Sequence, residues 1–576
     1  MKKWKILNKS HISSPKSQNL NNELTKVLLE NRGIKTKREI EEFLNPKLKN
    51  ITVANVGIDK AQIKKAIKRI KKAISDNEQI VVFGDYDVDG ICGTAILWEA
   101  LNEMNAKVMP YIPHRTDEGY GLSKKGISNV KSQINNVRLI ITVDNGIVAS
   151  EAVEYANKNG IDVIITDHHV PSKNLPKAHA ILHTTKLCGA GVAYLLAQEI
   201  SNFKFQISNK SQSPKTKIQN NHLELVALAT IADLVPLTGA NRVFVKFGIE
   251  ELRRTKRIGI LAIVKEAGID QNLIDAYEIG HIIAPRLNAM GRLEHAMDSL
   301  RLLCTKNPKR AEALAKKLGS TNKRRQEMTI ETFEHAKSKI KNQSIQQAQD
   351  KKSKIKSLIF IAHESYQQGV IGLVAGRLVE EFYRPAIVLS IGEKYSKASA
   401  RSIKGFNIIE FIRGASNLLV DAGGHPMAAG FTVETAKLSL VQRKLEQLVE
   451  ELLDEDKLIR SVRIDCELGL SFIDKKLYDV LQKLAPFGMG NPQPTFITKN
   501  ITIEDMRLVG ADGKHLKLRV YQSKSPEQLD AIGFNMGDFA GKIHTGDTID
   551  IIYTIEQNEW NGNNRLQLKM KDLRKD

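Results

Sequence analysis

Between residue 79 and about residue 185, short apolar runs alternate with stretches whose apolar residues fall three and four apart. QIVVFG is followed by a helical pattern over 94–104, then KVMPYIP, RLIITVD, a helical pattern over 149–159, and DVIITD. Val- and Ile-rich runs that need no polar face, separated by amphipathic helices, predict an α/β domain with a mainly parallel sheet. Residues 1–50 carry helical spacing in LTKVLLENRG and IEEFLNPKL and read as a helical accessory segment. A basic amphipathic helix over 59–75 leads into the first strand.

Past the sheet, 188–200 reads as a helix entered through glycines. Residues 204–221 are rich in Ser, Lys, Asn and Gln and read as a surface insertion. HLELVALATIADLVPL (222–237) is an apolar helix with one acid, Asp233, near its C-terminal end. The charged stretch 307–356 reads as a long connector helix. SLIFIAH, PAIVLSIG and the helical GVIGLVAGRLVEEF between them open a second α/β domain, which closes with a helix over 438–453. From residue 462 short strands punctuated by turn residues predict an OB-like β-barrel. The expected division is 1–50 accessory, 51–240 first α/β domain, 241–356 helical region and connector, 357–457 second α/β domain, and 458–576 barrel.

Polar residues cluster where the predicted strands end. Asp85, Asp87 and Asp89 follow the first, Asp144-Asn145-Gly146 follow RLIITV, and Asp167-His168-His169 follow DVIIT. In a parallel sheet these ends share one edge, the edge at which such folds bind ligands. Alternate residues of an extended segment, about 6.6 Å apart, point the same way, so Asp85, Asp87 and Asp89 are expected on one side of a strand end. Like charges gathered in this way need cations between them. With Asp233 they form a carboxylate and imidazole set without thiolate, which suits manganese or magnesium. The set is too large for one ion. Two ions sharing a carboxylate would activate a water and stabilise a phosphoryl group under attack, so the expected reaction is hydrolysis of a phosphoric ester or anhydride. There is no P-loop motif.

In the second α/β domain Ser399 and Arg401 fall on one face of an extended segment, and Gly423-Gly424-His425 reads as a glycine turn able to approach an anion. The barrel aromatics Phe472, Phe496, Tyr521, Phe534, Tyr553 and Trp560 are either core or base-stacking surface. With 86 Lys and Arg against 65 Asp and Glu, the net charge is +21. This reflects either a polyanionic partner or a general lysine bias. The four cysteines form no C-x-x-C pair, which excludes a thiolate zinc site and fits a reducing compartment. MKKWKILNKSHISS lacks a signal-peptide core, and no apolar run reaches membrane-spanning length, so the expected location is the cytoplasm.

GDYDVDG, VDNG, Asp167-His168-His169 and the later GGHPMAAGF resemble the motifs of the DHH phosphoesterase superfamily and its DHH-associated domain. APRLNAMGR, ASARSIKGFNI, LAPFGMGNPQPTF and the terminal barrel place the resemblance with the superfamily's single-strand-specific exonucleases, from about residue 50 onward. The resemblance implies a 5′-to-3′ exonuclease on single-stranded DNA. It would release 5′-mononucleotides with two manganese or magnesium ions, and act in repair and recombination as a cytoplasmic monomer beside a single-strand-binding protein and a RecQ-type helicase. By motif, Asp87, Asp89, Asp144, His168 and Asp233 resemble metal ligands, with Asp144 as the bridge. Asp85 and His169 resemble residues that ligate, orient or contact the scissile phosphate. Ser399, Arg401, Gly424 and His425 resemble a 5′-phosphate pocket, and Arg115, Arg286, Asn288 and Arg292 resemble contacts to the strand. The superfamily's small phosphatases have a histidine at the position of Phe83; Asp85 is the substitute offered here, and which acid meets which ion is open. Two other readings are a phosphodiesterase for short oligonucleotides or cyclic dinucleotides, and a non-catalytic nucleic-acid scaffold.

Overall fold

The computed structural model describes residues 2–8, 11–12, 20–115, 117–207, 222–348, 357–522, 527–560 and 563–575. The polar insertion expected over 204–221 and the end of the connector expected to residue 356 therefore lie largely outside the described residues. The chain forms two compact units, one of Thr52–Asp233 with Gly248–Arg460, the other of Met1–Ile51, Leu234–Phe247 and Ser461–Asp576.

The first unit opens with helix α1 (Lys60–Ser75), whose buried face is Ile63, Ala66, Arg69, Ile70 and Ala73. Strands β1 (Gln79–Gly84), β2 (Val108–Tyr111), β3 (Val137–Val143), β4 (Asp162–Asp167) and β5 (Ala180–His183) form an all-parallel sheet in the order β2-β1-β3-β4-β5. β1, β3 and β4 are buried along nearly their whole length, because helices cover both faces; this is why their sequences do not alternate. The chain leaves β1 toward β2 on one side and returns to β3 on the other. The topological switch point, where open parallel sheets bind ligands, thus lies between the C-terminal ends of β1 and β3. Helices α2 (Val88–Asn102), α3 (Gly189–Ile207) and α4 (Leu223–Ala232) pack together beside it, and α4 is apolar all round because it is buried all round.

Helix α5 (Ala284–Leu293) and the 41-residue α6 (Pro308–Ala348) lead to a five-stranded sheet in the same unit. It contains β6 (Ile359–His363), β7 (Ala386–Ser390), β8 (Tyr395–Arg401), β9 (Asp421–His425) and β10 (Ala428–Glu434), in the order β9-β10-β8-β7-β6, with α7 (Gln368–Phe382) between β6 and β7. The sheet is mixed: β6–β7 is parallel and the remaining pairs are antiparallel. Gly423, Gly424 and His425 were expected as a glycine turn. They are instead the end of β9, registered against β10, with the reversal at Pro426-Met427.

In the second unit β11 (Phe496–Val509), β12 (His515–Gln522), β13 (Gln528–Gly533), β14 (Thr548–Trp560) and β15 (Asn563–Lys575) close on themselves, β11 pairing with both β12 and β14. Phe496 and Tyr553 lie in its core rather than on a stacking surface, whereas Phe534 is exposed. Residues 1–50 are part of this unit rather than a separate helical piece. Lys3–Ile6 pairs with Ser461–Ile464, and Leu24, Leu28, Leu29 and Phe43 join the barrel's apolar cluster. No helix among the described residues is long and apolar enough to cross a membrane.

Candidate metal centre

Asp85 follows β1 directly and is 1% exposed. The next residues do not stay extended. Asp87 is the N-cap of α2, its Oδ1 accepting from the backbone N–H of Asp89 at 2.9 Å and of Gly90 at 3.1 Å. The expectation of three acids on one face of a strand end is corrected: Asp-x-Asp-Gly is a capping sequence, and helix onset carries Asp89 into the first turn. A Cβ on Gly90 would stand 2.5 Å from the Asp85 nitrogen, so only glycine lets α2 start this close to the strand. Asp89 in turn accepts from Gly189 N–H at 2.6 Å and Ala190 N–H at 2.7 Å, pinning its carboxylate to the N-terminus of α3.

Asp144 directly follows β3 with a left-handed φ of 62°, and a Cβ on Gly189 would stand 2.6 Å from its Cβ. Asp167 ends β4 with both carboxylate oxygens engaged. Oδ2 accepts from Ile147 N–H at 2.9 Å; Oδ1 accepts from His168 N–H at 2.7 Å and His169 N–H at 3.1 Å, and lies 2.8 Å from His169 Nδ1. Asp167 therefore fixes the backbone of the histidine pair and the His169 imidazole rather than offering itself to an ion. His168 Nε2 is 3.1 Å from Asp144 Oδ1, 3.6 Å from Asp233 Oδ2 and 3.7 Å from Asp89 Oδ2. Asp233 sits at the C-terminal cap of α4.

Three overlapping groups have donor atoms within 4.8 Å of one another: Asp85, Asp87 and Asp144; Asp89, His168 and Asp233; and Asp144, His168 and His169. Asp85 Oδ1, Asp144 Oδ1, His168 Nε2 and Asp233 Oδ2 are buried without a hydrogen-bond partner. Orphaned buried polar atoms are costly, and four converging donors of this kind fit divalent cations. Burial, then the neighbouring carboxylates, push Asp85 and Asp144 well above the usual carboxylate range and Asp233 up to about 9. Burial lowers His168, leaving a neutral imidazole with a lone pair to donate. For His169 burial acts downward, but the bond to Asp167 and its charge prevail and raise it.

Beside this cluster the chain gathers cations. Arg115 adds to the effect of burial in lowering both Arg292 (to about 10) and Arg401, which places three guanidinium groups near one another. Ser399 and Arg401 share a face of β8 as expected, Arg401 Nη1 donating to Ser399 Oγ at 3.3 Å. Gly372 of α7 leaves room for them: a Cβ there would stand 2.9 Å from Ser399 Oγ and 3.1 Å from Arg401 Nη2. The rings of His425 and His169 stack at 6.2 Å.

Two residues expected at the strand are engaged otherwise. Arg286 pairs with Glu266 at 2.7 Å, and Asn288 Oδ1 accepts from Val88 N–H at 3.0 Å, satisfying the start of α2. Three residues escaped the sequence reading. Tyr120 places its hydroxyl 2.9 Å from His169 Nε2, Tyr86 lies under Arg115 at 5.1 Å, and Arg325 approaches Arg292 from the connector helix. Only Tyr86, inside the acidic motif, carried a signal that could have drawn attention.

Family models match residues 79–230 (DHH family, N-terminal domain), 354–454 (DHHA1 domain) and 464–572 (RecJ OB domain). The chain is 36% identical over 560 residues to the single-stranded-DNA-specific exonuclease RecJ of Bacillus subtilis, covering 95% of this chain and 67% of that protein. It is 31% identical over 568 residues to the Escherichia coli protein of the same name, covering 96% and 95%. A crystal structure of RecJ in complex with Mn2+ from Thermus thermophilus superimposes with a TM-score of 0.80 at 27% identity, covering 100% of this chain and 80% of that one.

Proposed function

The chain belongs to the RecJ family of DHH phosphoesterases, and from that membership we propose how its side chains divide the work of a single-strand exonuclease. It is a metal-dependent exonuclease specific for single-stranded DNA, with manganese or magnesium as cofactor. Our reading of its mode of action is 5′-to-3′ removal of 5′-mononucleotides with two ions, in DNA repair and recombination. The observation that carries it is the set of buried, unpartnered donors at Asp85, Asp144, His168 and Asp233 beside an arginine pocket.

Asp85, Asp87 and Asp144 would hold one ion and Asp89, His168 and Asp233 the other, with Asp144 between them. Bound divalent ions supply a water acidic enough to attack at neutral pH and positive charge for the phosphoryl oxygens. The protein's own part is orientation. Asp167 fixes His169 through Nδ1, so its Nε2 faces the Tyr120 hydroxyl and the edge where a scissile phosphate would lie. Asp89, tied to the α3 N-terminus, holds its carboxylate 3.7 Å from His168 Nε2. Arg115, Arg292, Arg401 and Ser399 would bind the terminal 5′-phosphate, with Gly424 and His425 beside it. That would set the strand end at a fixed offset from the cut and give polarity. Arg286 and Asn288 would act by supporting α5 and α2 rather than by touching the strand.

We assign the working domains as 51–240, 357–457 and 458–576, joined by 241–356, and the cytoplasm as location. The protein would act as a monomer, with a single-strand-binding protein and a RecQ-type helicase supplying its strands. Degradation of 5′-labelled single strands and blunt duplexes, with manganese, magnesium or chelator, tests the reading. Single strands should lose the label first as a mononucleotide and only with metal. Initial loss of a 3′ label would overturn the polarity.

A further inference from the structure

The feature that the hydrolytic site does not use is the outer face of α1. Lys60, Lys64, Lys68 and Lys72 repeat every fourth residue along it and all four are exposed. Residues four apart on a helix lie above one another, about 6 Å further along the axis, so the row is roughly 18 Å long. The helix carries no acid between Lys60 and Ser75. Its one buried cation, Arg69, is on the other face and is already neutralised by Glu78 at 2.7 Å and Asp162 at 2.5 Å. Among the described residues no carboxylate forms an ion pair with the four lysines. Lys65 lies one position off the row and is exposed as well.

The row starts at the catalytic edge. Just before α1, the Val56 carbonyl accepts from Thr184 Oγ1 at 2.6 Å; Thr184 follows β5, whose last residue, His183, holds the His169 carbonyl at 2.7 Å. Further along, Gln62 Oε1 accepts from Ile181 N–H at 3.0 Å, and Arg69 reaches Asp162 at the start of β4, on the opposite edge. The lysines therefore run from the side of the sheet where the strands end down its outer flank toward the opposite edge. Four unpaired cations in line with such a site complement a row of phosphates; an 18 Å row spans about five phosphates of one strand.

We infer that the Lys60-Lys64-Lys68-Lys72 row is a second docking track, outside the hydrolytic cleft, for the phosphate backbone of nucleic acid. It rests on the exonuclease reading only for the identity of the polyanion. The occupant is single-stranded DNA, the substrate for which the chain's relatives are specific; a flanking duplex offers the same backbone chemistry and is the alternative that the measurement separates.

The test is the full chain with Lys60→Gln, Lys64→Gln, Lys68→Gln and Lys72→Gln combined; glutamine keeps helix propensity and removes charge. Binding is followed by anisotropy in chelator, as a function of salt, on a long single strand and on a duplex with a short single-stranded tail. The slope of log K against log salt should flatten by about 3 on the long single strand, at ~0.7 per lost contact for four contacts, and should change little more on the tailed duplex than its single-stranded tail accounts for. Hydrolysis of oligonucleotides of a few nucleotides with manganese should keep wild-type kcat and KM. Loss of that short-substrate activity would overturn the separateness of the track, while absence of activity in the parent chain would count against the exonuclease reading alone. An unchanged slope on the long single strand would overturn the proposal, and so would a flattening confined to the duplex. So would loss of poly-glutamate binding with nucleic-acid binding intact, which would make the row a docking site for an acidic protein. Lys64→Glu with Lys68→Glu should deepen the loss, and a reversal that leaves binding unaltered would reject it equally.

Discussion

His168 Nε2 and Asp144 Oδ1 face each other at 3.1 Å, both buried and both without a hydrogen-bond partner. Two strands of the sheet thus present an electron-pair donor each to the same small volume. Asp144→Asn keeps the shape and suits the left-handed backbone at φ 62°, since asparagine tolerates that region. It should lower hydrolysis by more than the ~10²-fold that loss of an outer-shell partner costs, while the melting temperature in chelator at neutral pH holds or rises because a buried, repelled carboxylate is gone. Single-turnover kinetics and calorimetric metal titration check both halves.

The raised acids make stability depend on pH in a definite direction. For Asp85, Asp144 and Asp233 the folded pKa exceeds the unfolded one, about 9 against 3.8 for Asp233. The folded chain therefore holds more protons between those limits, and metal-free stability is greatest below the unfolded pKa and falls as pH rises toward 9. Manganese or magnesium should remove the decline and release protons on binding. Urea melts in chelator across pH 5–9 measure the first effect and buffer-dependent calorimetry the second; a rising metal-free profile would contradict the assignment.

Gly372→Ala adds one methyl group 2.9 Å from Ser399 Oγ, on a helix where alanine is otherwise favourable. Melting temperature should hold or rise while KM for 5′-phosphorylated strands increases about 10- to 100-fold, the worth of one charge-assisted hydrogen bond. Strands with a 5′-hydroxyl should be affected less, and the ratio of the two KM values is the readout.

At the far end of α2, Arg257 bonds Glu99 at 2.7 Å and Glu224 at 3.0 Å, and Glu99 also meets His222 at 2.7 Å. Burial acts against the Glu99 charge, but His222 and Arg257 overcome it and hold its pKa at about 2. That stability is present above the ordinary glutamate pKa and is lost as pH falls toward 2. Arg257→Ala leaves Glu224 without its partner and Glu99 with His222 alone, and should cost about 3–5 kcal/mol at neutral pH, read from denaturant melts.

Much of the site was legible because strand-end chemistry is local. An apolar run that stops at Asp144 or Asp167 announces both the strand and the edge where the acid lies. The acidic motif misled in geometry because the period-2 reading ignored capping: Asp87 competes for backbone N–H groups and starts a helix at Val88. Arg286 and Asn288 look alike in sequence to Arg292, and only tertiary partners separate a cation held by Glu266 from one in the arginine pocket. The pairing of Lys3–Ile6 with Ser461–Ile464 was invisible, since a four-residue strand has too little periodicity to register. Tyr120 acquires its role solely by its distance to His169.

The candidate ligands all precede residue 234, whereas the arginine pocket, Arg115 apart, is drawn from residues 292–425. Variation in the two stretches is thereby uncoupled. On the proposed division of roles, a lineage could alter which strand ends are admitted through substitutions around Gly372, Ser399 and Arg401 without revisiting the candidate metal ligands. On the same division, an inactivating change at Asp144 or His168 would leave a protein that still recognises ends. Loss of catalysis and change of recognition are separate routes of divergence for this chain.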